Sequence, residues 1–298
     1  MKLSLFYDHV TILDYAYLDQ EYGPVGDSLV VNVEFVGRTD DEGVIYDFSY
    51  AKKKVKEIID RDCDHRLVVP QKIVERDGDR VLLNCKFAKG ELEYSAPDQA
   101  ICEIPYDEVT TADLTTYLEE IVLKEMPENI EKIILTLEKE NTPANNIYFH
   151  YTHGLKDHYG NCQRLLHGHR STFKLIVDGV RDVDGEIEWV SEHLTDKIHF
   201  AFWENVVNRE EIYQALGDRR PVGRHDDLPN VILKYSGNQG DFQLVMNSSL
   251  IYFMDMETTV ENLSSHFCHE IKEFFRKGQK VEVHAFEGIG KGAKTILE

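Results

Sequence analysis

The sequence predicts an α+β protein of two tandem modules, each reading strand, strand, helix, helix, strand, with a possible last strand. Three observations predict this fold: an internal repeat, segments that alternate apolar and polar residues, and segments with apolar residues at helical spacing. Strands grouped around two helices favour an antiparallel sheet in each module. The predicted modules span residues 1–141 and 142–298.

The first helix of each module is predicted directly after an alternating strand. SLVVNVEFVG, residues 28–37, is followed by an acidic turn and an amphipathic segment that ends in DCDHRLVVP, residues 62–70. STFKLIVDG, residues 171–179, is followed in the same order by GEIEWVSEHLTDKIHFAFWENVV, residues 185–207. The shared order indicates that the second half repeats the first.

The second helix of each module begins with a similar capping pattern. EVTTADLTTYLEEI, residues 108–121, and ETTVENLSSHFCHEI, residues 257–271, each have a Thr cap, an acidic first turn and helical apolar spacing. Each leads to an alternating strand, KIILTLEKE at residues 132–140 and KVEVHAFEG at residues 280–288.

Each half also carries a hairpin-like insertion between its helices. KIVERDGDRVLLNCKF, residues 72–87, and NVILKYSGNQGDFQLVM, residues 230–246, have Asp-Gly and Ser-Gly-Asn turn chemistry. Residues 208–230 have no counterpart in the first half and predict an exposed loop with a short helix. NTPANN, residues 141–146, predicts the boundary between the modules.

The composition excludes several classes of partner. The 298 residues include 33 Lys plus Arg against 54 Asp plus Glu, a net charge of −21, which repels nucleic acid and anionic membranes. Five cysteines without a CxxC pair fit a reducing cytoplasm better than a disulfide framework. No apolar run approaches the length of a membrane span. We therefore expect a cytoplasmic protein.

The segment NCQRLLHGHR, residues 161–170, indicates a metal site. On a strand, His167 and His169 project from the same face, and a hairpin would bring His153 of FHYTHGL beside them. Three histidine ligands leave one tetrahedral position open, as in catalytic zinc sites. Spacing alone leaves open the alternative that these histidines face water or have hydrogen-bond partners within the protein.

Two further motifs carry acid-base chemistry. Cys162, in the loop between the His-bearing strands, is either a small buried thiol or, beside a cation, a thiolate base or nucleophile. Asp64 and His65, after the first helix, are either a charged helix end or a proton relay. In the second half, DKIHFAF aligns there and keeps His199 without the acidic neighbour.

When SLVVNVEFVG is aligned with STFKLIVDG, Val25, Gly26 and Asp27 correspond to the HGH segment. The first module therefore lacks metal ligands, whereas the second lacks the Asp-His pair. We expect a complete site only where a module of one kind meets a module of the other, within a chain or between chains. This arrangement predicts one site per chain.

In combination, YTHGL, Cys162, HGH, the Asp-His pair, the TxENL-type helix start and a Glu after the third strand resemble the 6-pyruvoyl- and 6-carboxytetrahydropterin synthases. Each half of the chain resembles the family, so the similarity covers essentially the whole chain. The resemblance implies the tunnelling fold, whose modules oligomerise into barrels, with Zn²⁺ as cofactor and dihydroneopterin triphosphate as substrate. The 6-carboxy branch makes 6-carboxytetrahydropterin for the 7-deazaguanine (queuosine) pathway, and the 6-pyruvoyl branch retains all side-chain carbons.

The resemblance also implies residue roles. It implies that zinc is held by His153, His167 and His169. Cys162 would be the catalytic thiol, and Asp64 and His65 would form the proton relay. Glu287 would anchor the pterin ring through its N–H groups, with Glu140 or, by a small register shift, Glu138 as its first-module counterpart. The cations nearest for a triphosphate are Arg164, Arg170 and Lys291.

A cytoplasmic chain favours the 6-carboxy branch. Two alternatives stay open from the sequence. One is 6-pyruvoyltetrahydropterin synthase activity. The other is a non-catalytic, zinc-containing tandem module that binds a pterin or purine.

Overall fold

A computed structural model describes residues 3–141 and 146–298 of the chain. The helices of these residues are α1 Phe48–Asp62, α2 Thr111–Lys124, α3 Val183–His193, α4 Arg209–Leu216 and α5 Val260–Lys272. The strands before residue 142 are β1 Leu3–Asp19, β2 Gly23–Gly37, β3 Leu67–Pro70, β4 Glu75–Asp77, β5 Arg80–Phe87, β6 Gly90–Pro97, β7 Ile101–Ile104 and β8 Ile130–Glu138. The later strands are β9 Tyr148–His153, β10 His167–Val177, β11 Val180–Arg181, β12 His199–Phe202, β13 Gly223–Arg224, β14 Val231–Gly237, β15 Gly240–Met246, β16 Ile251–Met254, β17 Val281–Phe286 and β18 Gly292–Leu297.

Two of the sheets have corresponding strand orders. The first sheet runs β7-β3-β1-β2-β8, and the second contains β16-β12-β9-β10-β17, with β13 and β18 added at its two edges. The prediction of purely antiparallel sheets is wrong for the strands after the first helices. β3 runs parallel to β1 and β7, and β12 runs parallel to β9 and β16. These four-residue apolar segments are too short to reveal a strand pattern by alternation.

The helices bury one apolar face against each sheet, as their spacing predicts. In α5 the buried face includes Leu263, Phe267 and Ile271, which belong to the core of the second sheet. The predicted Thr caps are confirmed, because Thr110 accepts a hydrogen bond from the Asp113 N–H and Thr259 accepts one from the Asn262 N–H. These caps fix the first turns of α2 and α5.

The two predicted hairpins form, and they join into a third sheet that the sequence does not reveal. Its order is β14-β15-β6-β5-β4, with Leu244 of β15 opposite Tyr94 of β6. The core beneath this sheet combines residues of both halves, among them Leu83 and Phe242. One continuous core therefore fixes the halves relative to each other.

β2 crosses close to β9 and β10 at two glycines. A Cβ added to Gly26 would lie 2.2 Å from the Tyr151 carbonyl oxygen, and one added to Gly168 would lie 2.5 Å from the Gly26 Cα. The two glycines that the alignment equates thus pack against each other, which brings the first two strands of the first half to the HGH segment.

The remaining predictions concern boundaries and loops. The predicted short helix between residues 208 and 230 is confirmed as α4. The predicted domain limit between residues 141 and 142 stays a prediction, since residues 142–145 of its NTPANN segment lie outside the described residues. Among the described helices, none combines the length and the apolar character that crossing a membrane requires.

Candidate metal centre and active site

The three predicted histidines form one buried cluster. His153 ends β9 directly opposite His167, which begins β10, and His169 comes two residues later. All three side chains are fully buried. The ring centroid of His153 lies 4.3 Å from that of His167, and both lie 5.4 Å from that of His169. One ring nitrogen from each lies within 4.8 Å of the others. The predicted hairpin therefore brings the imidazoles together.

Two of the three rings, those of His153 and His167, are held by hydrogen bonds at Nδ1. The Nδ1 of His153 lies 3.0 Å from both the carbonyl and hydroxyl oxygens of Thr258, and the Nδ1 of His167 lies 2.8 Å from the Arg164 carbonyl. A proton on Nδ1 leaves the Nε2 lone pair free for a metal ion. All three Nε2 atoms are buried without a hydrogen-bond partner, so the cluster fits a divalent ion such as Zn²⁺.

The protonation of the cluster also suits a metal. Burial, followed by the neighbouring imidazoles, lowers the pKa of His153 and His167 well below the usual value. Both rings are therefore neutral at neutral pH. A metal ion does not need to displace a proton from either of them.

Asp14 of β1 supports the cluster from the first half. Its Oδ1 lies 3.3 Å from the Nδ1 of His169, a charge contact without hydrogen-bond alignment, and accepts a 2.5 Å hydrogen bond from Ser28. Lys291 lies 2.9 Å from its other oxygen. Although burial alone raises the pKa of Asp14, contacts with His169, Lys291 and Ser28 hold it far below its usual range. Sequence reasoning missed Asp14; the signal was a carboxylate within the apolar segment ILDYAY.

The predicted relay meets the cluster within one chain. The Asp64 carboxylate lies 2.5 Å from the Nδ1 of His65, and the His65 ring stacks on His167 with 5.1 Å between centroids. Burial opposes the charged form of His65, but the contacts with Asp64 and Cys162 raise its pKa to about 10. His65 is therefore an imidazolium at neutral pH.

Cys162 completes the arrangement. It lies half-buried in a short 3-10 turn, Gly160–Gln163, and its carbonyl accepts a hydrogen bond from the Leu155 N–H. Its sulfur lies within 4.8 Å of ring nitrogens of His65 and His167. The relay of one half, the histidines of the other and the thiol thus lie together without a second chain.

Glu287 comes directly after β17, beside the histidines. Its Oε1 lies 3.9 Å from the Nε2 atoms of His153 and His169. The predicted first-half counterpart of Glu287 was Glu140 or Glu138, and the strand register shows that neither residue occupies that position. Ala285 pairs with Phe173, and Leu137 pairs with Val31, the residue that corresponds to Phe173.

Glu287 lies two residues after Ala285, and Lys139 lies two residues after Leu137. Lys139 is therefore the residue that corresponds to Glu287. Lys139 lies 3.7 Å from Asp27, and Glu138 accepts a hydrogen bond from Asn32. A shift of one residue turns a strand side chain to the opposite face, and sequence alignment cannot detect such a shift.

The register also corrects the alignment of His199 with the relay. His199 pairs with Thr152 as Leu67 pairs with Ala16, so His199 corresponds to Leu67. The Nδ1 of His199 lies 2.9 Å from the Thr152 hydroxyl, and burial lowers its pKa to about 3. His199 is therefore a hydrogen-bonded core residue and takes no part in a relay.

The three predicted cations have different surroundings. Arg164 is buried and donates to the side-chain oxygen of Gln239 at 2.9 Å and to the Asp64 carbonyl at 3.3 Å. Arg170 stacks on the Tyr148 ring, 3.5 Å from its centroid, and Lys291 pairs with Asp14. Arg164 thus links the Asp64 loop of the first half to the Cys162 turn.

Comparisons of sequence and of structure found similar proteins. No protein-family model matches the chain. A Pyrococcus horikoshii protein, described provisionally as a 6-carboxy-5,6,7,8-tetrahydropterin synthase, is 31% identical over 108 residues, 36% of this chain. The chain spans 63% of that relative.

The 6-pyruvoyltetrahydropterin synthases of Plasmodium vivax and Plasmodium falciparum match with TM-scores of 0.38 and 0.37. They are 18% and 19% identical to this chain, over 48% and 46% of its length and over 94% and 90% of theirs.

Proposed function

We propose that this chain belongs to the 6-pyruvoyl- and 6-carboxytetrahydropterin synthase family and is a zinc-dependent lyase. Its substrate is 7,8-dihydroneopterin triphosphate and its product is 6-carboxy-5,6,7,8-tetrahydropterin, a precursor in the 7-deazaguanine (queuosine) pathway. The observation that carries the proposal is three buried imidazoles with unpartnered Nε2 atoms beside Cys162 and His65. The description of the Pyrococcus relative favours the 6-carboxy product over the 6-pyruvoyl one.

Cys162 and His65 have different roles in proton transfer. Zinc bound by His153, His167 and His169 would polarise the side-chain oxygens of the substrate, which makes adjacent C–H protons removable. Cys162 is the base, because its sulfur lies within 4.8 Å of ring nitrogens of His65 and His167. His65, held by Asp64, begins protonated and so donates a proton.

Charged side chains around the cluster suit the two ends of the substrate. Glu287 accepts hydrogen bonds from the N–H groups of the aminopyrimidinone ring, which is the natural partner of a carboxylate. Arg164, which has no carboxylate partner among the ion pairs of residues 3–141 and 146–298, attracts the phosphates together with Lys291.

The test is incubation of zinc-loaded protein with 7,8-dihydroneopterin triphosphate, with the product identified by mass. We expect 6-carboxy-5,6,7,8-tetrahydropterin from the wild type and at least a 100-fold lower rate from Cys162→Ala, since a positioned base contributes about that much. Chelation should abolish turnover, and added zinc should restore it. Absence of turnover by the wild type would contradict the proposed enzyme activity. Formation of the 6-pyruvoyl compound would contradict only the proposed product.

The proposal includes two tandem tunnelling-fold modules that close a barrel in a cytoplasmic homo-oligomer. The edges of the first sheet are β7 and β8, whose unpaired backbone groups suit pairing with a second chain. The cysteines at the five positions are free thiols, which fits a reducing compartment. Sedimentation should give a multiple of 34.5 kDa, and a mass of one chain would contradict the assembly.

A further inference from the structure

A cavity of about 490 Å³ lies where the sheet register places the first-half counterpart of the histidine cluster. Tyr17 and Val25, which line it, stand where the second half has the first two histidines of the cluster. Lys139, which also lines it, stands where the second half has Glu287. This cavity, the first-half cavity, therefore repeats the position of the candidate active site.

The loop after α3 contributes the counterparts of the relay. Thr195 and Asp64 each donate a backbone hydrogen bond to a carbonyl of the preceding helix. The residues that follow them, Asp196 and His65, have positive φ angles of 65° and 54°. One additional residue, Lys197, then precedes the next strand in the second half. Thr195 and Asp196 line the cavity, so they take the places of the relay residues.

The first-half cavity has the dimensions of a ligand site although its metal ligands and relay are replaced. Small-molecule sites typically enclose roughly 300–1,000 Å³. Protein interiors pack closely, so a site that binds nothing is expected to fill with side chains. The space is open instead and is lined by the aromatic rings of Tyr17, Tyr22 and Tyr148. Flat aromatic walls suit a planar ring.

The carboxylates that line the cavity have partners within the chain. Asp19 accepts hydrogen bonds of 2.8 and 2.9 Å from two backbone N–H groups of its own turn. Asp196 and Glu21 share Lys89, whose Nζ lies 2.6 Å from the first and 3.9 Å from the second. These acidic groups are therefore already satisfied before a ligand arrives.

A cation and a neutral imidazole remain for a ligand. Lys139 lies 3.7 Å from Asp27, beyond hydrogen-bond distance, and 56% of its side chain is exposed. The Nδ1 of His150 lies 2.6 Å from the Gly26 carbonyl oxygen and so carries the proton. Burial lowers the pKa of His150, and the cations Arg170 and Lys139 add to the effect, so Nε2 is an acceptor. Because Gly26 and Asp27 are consecutive, both groups lie beside the same end of β2.

We propose that the first-half cavity is a second, non-catalytic site that binds a planar heteroaromatic acid. The ring lies against the tyrosines, a ring N–H donates to His150, and the acidic group pairs with Lys139. The exchange of Glu287 for Lys139 reverses the charge, so an anion binds where the active site binds N–H donors. Because Tyr17 and Val25 replace imidazoles, no metal activates the bound acid. The inference does not depend on catalysis at the histidine cluster.

Calorimetric titration of zinc-loaded protein with 6-carboxypterin, an acid of this class, measures the number of sites and their Kd. Lys139→Gln should raise Kd of the cavity site about 10-fold, the effect of losing one charge-assisted hydrogen bond. Pterin, which lacks the carboxylate, should bind this site of the wild type about 10-fold more weakly for the same reason. Lys132→Gln removes an exposed charge from β8 and is the matched control, with Kd unchanged.

Ser191→Trp tests whether the acid binds inside the cavity. Ser191 is exposed on α3 and lines the cavity, so an indole there should occupy the space and abolish the cavity site. Zinc content equal to that of the wild type would show that the fold is intact. Binding that is weakened by Lys139→Gln but unaffected by Ser191→Trp would place the acid outside the cavity and overturn the inference.

Glu287→Gln separates the cavity from the proposed active site. If the proposed function holds, the wild type should bind two molecules of 6-carboxypterin per chain, one weakened by Glu287→Gln and the other by Lys139→Gln. If the proposed function fails, one molecule should still bind, and only Lys139→Gln should weaken it. Binding that responds to Glu287→Gln alone would overturn the inference and retain the proposed function. Absence of binding would also overturn the inference.

Discussion

Single residues of the first half complete a cluster that belongs to the second. Asp14 lies against His169, and Ser28 and Lys291 in turn hold Asp14. A carboxylate on the far nitrogen of a metal-binding imidazole orients the ring and increases its basicity. The first half thus supplies outer support for ligands that it does not itself contain.

Replacement of Asp14 by Asn should therefore weaken zinc binding. Loss of the charge beside His169 should reduce zinc affinity about 10-fold to 100-fold, the usual effect of removing such a partner. Competition with a chromophoric chelator measures this. The exposed Asp41→Asn variant removes the same charge from the turn after β2 and should bind zinc like the wild type. Equal affinities of both variants would show that Asp14 does not support His169.

The pKa of Glu257 predicts a stability difference that depends on pH. Its ordinary value is 4.5 and its value in the folded protein is about 7, so the favourable protonated form is fully present below pH 4.5 and is lost as the pH rises through about 7. Glu257→Gln should match the wild type at pH 4.5. At pH 8 it should be more stable by about 1–2 kcal/mol, discounted for partial exposure.

Urea unfolding of metal-free protein at the two pH values provides the measurement. The exposed Glu261→Gln variant should show the same difference from the wild type at both values. A Glu257→Gln difference that did not change with pH would mean that Glu257 is solvated in the folded protein.

At the scale of elements, the crossing of β2 over β9 and β10 sets the distance between the relay and the histidines. The contact is backbone to backbone, since Gly26 and Gly168 have no side chains. Any Cβ there forces the strands apart, because the atoms it meets are main-chain atoms that cannot rotate away.

Gly26→Ala should destabilise the protein by about 3 kcal/mol and also lower zinc affinity, because the added Cβ meets the Tyr151 carbonyl and the His169 N–H group. Urea unfolding and chelator competition measure the two effects. Gly179→Ala is the control, since its surroundings are open and only its positive φ of 82° opposes a side chain. It should cost about 1 kcal/mol and leave zinc affinity unchanged. A stable Gly26→Ala variant would contradict the close approach.

The sequence allowed prediction of features that depend on local periodicity. A spacing of two on a strand is enough to place His167 and His169 on one face, and a short loop is enough to bring His153 opposite. Register and long-range pairing leave no such local signal. For this reason Lys139 occupies the position that was predicted for Glu140. The contact of Asp14 with His169 could not be predicted either.

At the scale of the whole molecule, the two halves have diverged into complementary roles. Tyr17 pairs with Val25 in the first sheet as His153 pairs with His167 in the second, so no imidazole stands at these first-half positions. The corresponding place holds a cavity of about 490 Å³ lined in part by Tyr17, Lys139 and His150. The first half keeps the relay, and the second keeps the histidines.

This division predicts one tightly bound zinc ion per chain, although the chain contains two similar halves. The first half offers Tyr17, Val25 and Asp27 where the second offers three imidazoles, and a phenol and an alkyl group do not replace neutral nitrogen donors. Elemental analysis after gel filtration should give a ratio near one, and His167→Ala should reduce it to near zero. His158→Ala, which removes an exposed imidazole from the loop after β9, should keep the ratio at one.

Zinc should also stabilise the whole chain, because Asp14 and His65 of the first half pack against the histidines of the second. At a free zinc concentration 1,000 times Kd, binding to the folded state alone adds about 4 kcal/mol to the free energy of unfolding. The wild type and His158→Ala should gain it, whereas His167→Ala should not. Two firmly bound ions per chain would mean that the first half holds a metal through other ligands, and the complementary roles assigned to the halves would then be wrong.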